Sequence, residues 1–213
     1  MLHKIKRLIN HCFRHRINSS NKQRLNNQDM SLLASNCNGA LILHDLGQKF
    51  HSPFVNLYLT PKDFIRYLQN IPYYQNVKLN FEQESPYPIA KLEDISIHFM
   101  HYHSIQEAEE KWYTRSARIN DDNLFIMMTD RDGCTYQDLQ AFDQLPFPNK
   151  VVFTHQAYPE FSSAFYIKGF EAQGQVGDLF EYAGWFGQKY YDQFDYVNWF
   201  NQTAVARKIH QKA

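Results

Sequence analysis

The chain has 213 residues, enough for one domain with its own core plus a short extension. Its 22 Lys and Arg balance 22 Asp and Glu, so no global field draws nucleic acid, and that class of partner is set aside. Three cysteines, with no C-x-x-C pair, argue against a disulfide scaffold and a structural zinc site, and fit a reducing cytoplasm.

Residues 1–29 form a basic amphipathic arm. Lys4, Lys6, Arg7, Arg14, Arg16, Lys22 and Arg24 all precede the first acid, Asp29. Leu2, Ile5, Leu8, Ile9, Cys12 and Phe13 recur at spacings of three and four, which predicts a helix with one apolar face. That face suits docking on a core. Residues 2–16 also suit an interfacial helix making peripheral contact with an anionic inner membrane. No stretch approaches the ~20 apolar residues of a transmembrane span, and no secretory core with a cleavage site follows the charged start. Residues 19–28 are polar and read as a linker.

From residue 30 the pattern alternates strand and helix up to the C-terminal segment. Ser31–Ala34, residues 54–59, residues 95–100, Leu124–Met128 and Lys150–Phe153 are strand candidates. Thr60, Pro61 and Asp63 open one helix, carried by Phe64, Ile65, Leu68 and Ile71. Ser104 and Glu107 open another, reaching about Arg118, and Thr135 and Asp138 a third. Residues 161–187 resist placement, and an aromatic stripe over residues 190–198 predicts a terminal helix. The expectation over residues 30–213 is a single three-layer α/β/α sandwich with a mostly parallel sheet and an aromatic-rich C-terminal helical segment. The 14 Tyr and 17 Phe serve either a thick core or an aromatic-lined site, and sugars stack well on such rings.

In such sheets ligands bind beyond the carboxyl ends of the strands. Three candidate strand ends carry polar residues: Ser35-Asn36-Cys37-Asn38-Gly39, Thr129-Asp130-Arg131-Asp132-Gly133 and Thr154-His155. Cys37, at a helix N-terminus, is expected to have a lowered pKa and to serve as nucleophile, with Ser35 as the substitute. Asn36 would donate to a developing oxyanion. His155 is the candidate general base and Asp130 its orienting partner. Asn38, Gly39, Arg131 and Thr154 complete a substrate-binding set. The alternative gives Asp130 and Asp132 a divalent metal, as in nucleotide-sugar glycosyltransferases, with helix capping as the bland reading. His44, His51, His98, His101 and His103 compete with His155, but His101-x-His103 lacks a third ligand for zinc. The dinucleotide, P-loop, zincin and α/β-hydrolase signatures are missing.

The turn at Ser35–Gly39, with Asp45-Leu46-Gly47, Ser52–Leu57, Pro61–Phe64, Ala108–Trp112, Thr129–Thr135 and Val151–His155, resembles a bacterial family of unknown function. Many members carry names of exopolysaccharide or capsule biosynthesis proteins. The resemblance covers roughly residues 30 to 160. It implies an α/β fold and work on a glycan or lipid-linked glycan precursor in surface polysaccharide assembly, on the cytoplasmic side. The family turn reads Ser-Asn-Asn-Cys-Trp-Gly-Gly, so Asn38 here replaces an aromatic and Ala40 a glycine. The Asn-Cys turn is also similar to one in acetyltransferases that bind coenzyme A, which implies acyl transfer from a donor such as acetyl-coenzyme A. A metal-dependent glycosyltransferase and a non-catalytic accessory protein are the alternatives.

Overall fold

A computed structural model of the chain describes residues 2–202, and side chains over residues 5–202. Four parallel strands form the main sheet: β1 (Ser31–Ala34), β5 (Leu124–Thr129), β6 (Lys150–Thr154) and β7 (Ala164–Tyr166), in the order β1-β5-β6-β7. The continuous apolar run of β5 is explained by this position. Ile126 and Met128 enter one core cluster while Phe125 and Met127 enter the other, as a period of two requires when both faces are covered. The α/β expectation holds, with a second sheet added.

On one face lie α3 (Pro61–Gln69), α4 (Ile71–Asn76), α5 (Ile105–Ser116) and α6 (Tyr136–Asp143). The small antiparallel sheet of β2 (Asn80–Phe81), β3 (Ile89–Leu92) and β4 (Ile95–His98) joins them there. Their starts follow the sequence. Thr60 accepts from the Asp63 amide, Ser104 from Glu107, and Thr135 with Asp138 forms a reciprocal capping box. The other face is covered by α2 (Cys37–Asp45), the aromatic C-terminal segment and α7 (Tyr196–Asn201).

Three expectations are corrected. Residues 54–59 pack their apolar side chains but form no strand, because Asn56 at φ 60° breaks the extended run and leaves only the bridge of Tyr58 to His98. Residues 95–98 are a strand, but in the antiparallel sheet; a hairpin turned at Glu93 (φ 60°) pairs them with β3. The supposed linker is largely helix, since α1 runs Leu2–Arg24.

That helix docks by its polar side. Arg14 is buried and donates to Asp45 (2.7 Å) and to Asp192. Asn18 and Lys189 also bond Asp45 (3.1 and 2.8 Å), as does the Tyr191 hydroxyl. Asn10 donates to the Gly184 carbonyl (3.0 Å) and accepts from the Gly187 amide (2.9 Å). Gly187 sits at φ 76°, where any Cβ would run into the α1 backbone at Asn10, Phe13 and Arg14.

Candidate functional site

Parallel pairing sets the three polar strand ends on one edge. The Ser35 amide donates to Met127 O (3.0 Å) and the Asp130 amide to Phe153 O (3.0 Å), so the chain leaves β1, β5 and β6 side by side. Beyond this edge opens a cleft of about 370 Å³. Asn36, Cys37 and Asn38, at the start of α2, form one wall, and Arg131 and Asp132 another. Tyr58, Met100 and His101 come from the opposite loops, Asp178 and Phe180 from the C-terminal segment.

The α2 start is set by Asn36, in extended conformation, whose Oδ1 accepts from the Asn38 amide (3.2 Å) and side chain (3.0 Å). Its Nδ2 donates to the Thr129 hydroxyl (2.7 Å), tying the β1 turn to the end of β5. Gly39 matters for contact rather than for turning: a Cβ there would lie 2.5 Å from the Ala34 Cβ, so only glycine lets α2 pack this closely on β1. Asn38 is 3 % exposed, lines the cleft, and its Oδ1 is buried without a partner.

The expected activation of Cys37 is reversed. Burial pushes the thiol above its ordinary value, and its own backbone and Arg131 only partly offset this. Its Sγ lies 3.8 Å from the Leu57 carbonyl, and no hydrogen bond joins it to His155 among the described residues.

Asp130 and His155 do meet. Asp130 is 6 % exposed; one oxygen accepts from His155 Nδ1 (2.6 Å) and from the His155 amide (2.8 Å), and the other from the Val176 amide (2.8 Å). With Nδ1 directed at the carboxylate, Nε2 is left as the basic atom of a neutral ring. The pair stands beside the cleft, not in its wall. Both Asp130 oxygens are taken, whereas Asp132, raised at φ 60° ahead of Gly133 (φ 83°), faces the cleft. Of the two aspartates only Asp132 lines the cleft, and no cluster of three or more His, Cys, Asp or Glu suited to a metal occurs among the described residues.

Ser35 is buried and its carbonyl accepts from the Leu59 amide; it does not line the cleft. Thr154 is wholly buried and donates to the Gln156 carbonyl (2.7 Å). Arg131 donates to Asp178 (2.6 Å), while its Nε is buried without a partner. Tyr58, Asp178 and Phe180 were not picked out in the sequence. Tyr58 falls inside an apolar run with strand character, and the other two lie in the segment without periodicity. Tyr58 stacks on His98 with ring centroids 4.3 Å apart, and burial raises its hydroxyl to about 12.

A parallel sheet covered on both faces, with a cleft walled by both polar and apolar side chains at its carboxyl edge, defines the protein as an open α/β protein with a strand-end site. The match to the family model of a domain of unknown function (DUF1919) spans residues 8–201, so the chain belongs to the DUF1919 family. It is also 63 % identical over 191 residues to an uncharacterized protein of Haemophilus influenzae strain Rd, covering 89 % of this chain and 93 % of that one. No helix among the described residues is long and apolar enough to cross a membrane.

Proposed function

We propose that the protein binds a glycan in the strand-end cleft and acts as a transferase on a surface polysaccharide precursor. The supporting observation is the chemistry of the walls. Asp132, Asp178 and the unpartnered Asn38 Oδ1 offer acceptors, and Tyr58 and Phe180 offer ring faces. The one guanidinium, Arg131, is engaged by Asp178. Two carboxylates against one guanidinium disfavour a polyanion in the cleft itself. A ligand rich in hydroxyl donors and flat apolar faces fits, and a neutral sugar is such a ligand.

The second part of the reading rests on Asp130 and His155. Asp130 orients the ring so that Nε2 would take the proton of an acceptor hydroxyl; that oxygen attacks the thioester of a donor such as acetyl-coenzyme A, and the donor thiol leaves with the proton. Cys37, with its raised pKa, then serves as a wall contact and not as the nucleophile. The same raised pKa favours the second reading, a non-catalytic glycan-binding accessory of polysaccharide assembly. One experiment separates them. Titrate a panel of neutral and acidic oligosaccharides, then assay acetyl transfer to the tightest binder. Asp132→Ala should weaken binding about tenfold. His155→Ala should keep binding and lose about a hundredfold in rate. Glycan binding with no transfer selects the accessory reading. No binding to any neutral glycan removes both.

A further inference from the structure

On α1 the docked residues Asn10, Arg14, Asn18 and Asn21 share one face, and the apolar residues Ile5, Leu8, Ile9 and Cys12 share the other. An amphipathic helix normally turns its apolar side inward; this one turns it outward. Ile5 is 47 % exposed, Leu8 66 % and Phe13 38 %. A second element joins this face. The loop that Asn10 grips at Gly184 and Gly187 carries Trp185 and Phe186 at its tip, 39 % and 61 % exposed. Phe186 packs edge-on against Phe13 (5.4 Å), Lys6 lies over the Trp185 ring (5.6 Å) and Arg16 over Phe13 (5.9 Å).

We infer that this face is a docking surface for an anionic lipid bilayer. Charge decides among the occupants. Residues 1–28 hold seven Lys and Arg and no acid; of these Arg14 is spent inward on Asp45 and Asp192, and Arg24 is paired with Asp195. A second copy across a twofold axis would set these cations against their own equivalents. A bilayer of anionic lipids takes the apolar side chains between its headgroups and the cations at its surface together. Trp, Phe and Lys at one level, with cations over ring faces, is the arrangement that suits a water–lipid boundary. Beside the face a hollow of about 340 Å³ is lined by Lys6, Arg7, Asn10, Glu181 and Tyr182, with two cations against one acid, which suits a headgroup phosphate. The inference extends the residue 2–16 contact to the 185–186 loop and is independent of the glycan reading.

The test is flotation of the full chain with vesicles of phosphatidylcholine alone and of phosphatidylcholine mixed with phosphatidylglycerol. The protein should float only with the mixture and be released by salt. Leu8→Asp and Phe186→Asp should each cut partition by about tenfold or more while leaving the thermal melt unchanged, because both side chains are exposed. Inorganic phosphate at millimolar levels should not displace it. Three results overturn the inference: no binding to the mixture, vesicle binding that both variants retain and phosphate alone abolishes, or self-association that Leu8→Asp removes without vesicle binding. The last assigns the face to a second copy.

Discussion

Around Arg14 and around Arg131 the chain sets a guanidinium among carboxylates, yet the two clusters spend their bonding differently. Arg14 is 5 % exposed and lies between Asp45 and Asp192, with Lys189, Asn18 and Tyr191 filling the remaining positions on Asp45. Arg131 holds the single, half-exposed Asp178, and the atoms around it open on a cleft where Asn38 Oδ1 has no partner. Both arginines leave Nε unpaired, so the difference lies in their neighbours. A cluster that closes on itself staples elements together; one that leaves acceptors facing a cavity is arranged for something that arrives from outside.

The largest expected effect breaks this comparison if it is absent. Arg14→Met leaves buried Asp45 with Lys189 alone and half-buried Asp192 without its cation, and should cost about 3 kcal/mol in urea unfolding. Arg131→Met, at a partly exposed pair, should cost about 1 kcal/mol or less. Equal losses would mean that Arg131 is also a staple and that the cleft is a by-product of packing.

The acid limb sharpens the same contrast. Burial alone would raise the Asp45 carboxyl, but bonds from Lys189 and Tyr191 and the charges of Arg14 and Lys189 overcome it and hold the group at about 2, below the ordinary 3.8. A depressed carboxylate pKa stabilises the fold above the unfolded value and is lost as pH falls through the folded one. Roughly 2 kcal/mol should therefore disappear between about pH 4 and about pH 2. Stability measured against pH in Asp45→Asn should lack that drop; an unchanged acid limb would show that other carboxylates control it.

Next in size is Gly39→Ala. With the Ala34 Cβ 2.5 Å from the new methyl, α2 must shift away from β1, at about 1–3 kcal/mol. The shift also moves Asn36 and Asn38, so glycan binding should fall with stability. Retained binding would show that the α2 start is not a working wall.

The parallel sheet was legible because its evidence is local. β5 announces burial on both faces by an unbroken apolar run, and α3, α5 and α6 announce their starts by capping residues. The edge position of Asp130 and His155 followed from topology alone, since a parallel sheet brings every strand end to one side. The hairpin of β3 and β4 was illegible because its turn uses Glu93 and Asp94, not an Asn-Gly pair. Asp178 and Phe180 lie in a segment held by scattered long-range bonds without periodicity, so nothing in the chain marks them as cleft walls. The apolar face of α1 is legible in its spacing, but its direction depends on partners more than 170 residues away, such as Gly184 and Asp192.

The smallest effect concerns the three thiols and tests how Cys37 stands in the cleft. Cys12 is exposed on the outward face of α1, while Cys37 and Cys134 are partly covered. Burial pushes Cys134 to about 12, helped by Asp138 and Asp130, and pushes Cys37 upward despite Arg131. Only the thiolate attacks an alkylating reagent, so at neutral pH the two covered thiols are almost wholly in the unreactive form. Mass spectrometry after brief iodoacetamide treatment should find Cys12 modified first and the other two lagging, with Cys37 and Cys134 catching up as the medium turns alkaline. A Cys37 that keeps pace with Cys12 near pH 7 would mean that the α2 N-terminus and Arg131 outweigh burial. The turn would then regain the nucleophile that its sequence suggested, and the site would divide between Cys37 in the cleft and His155 beside it.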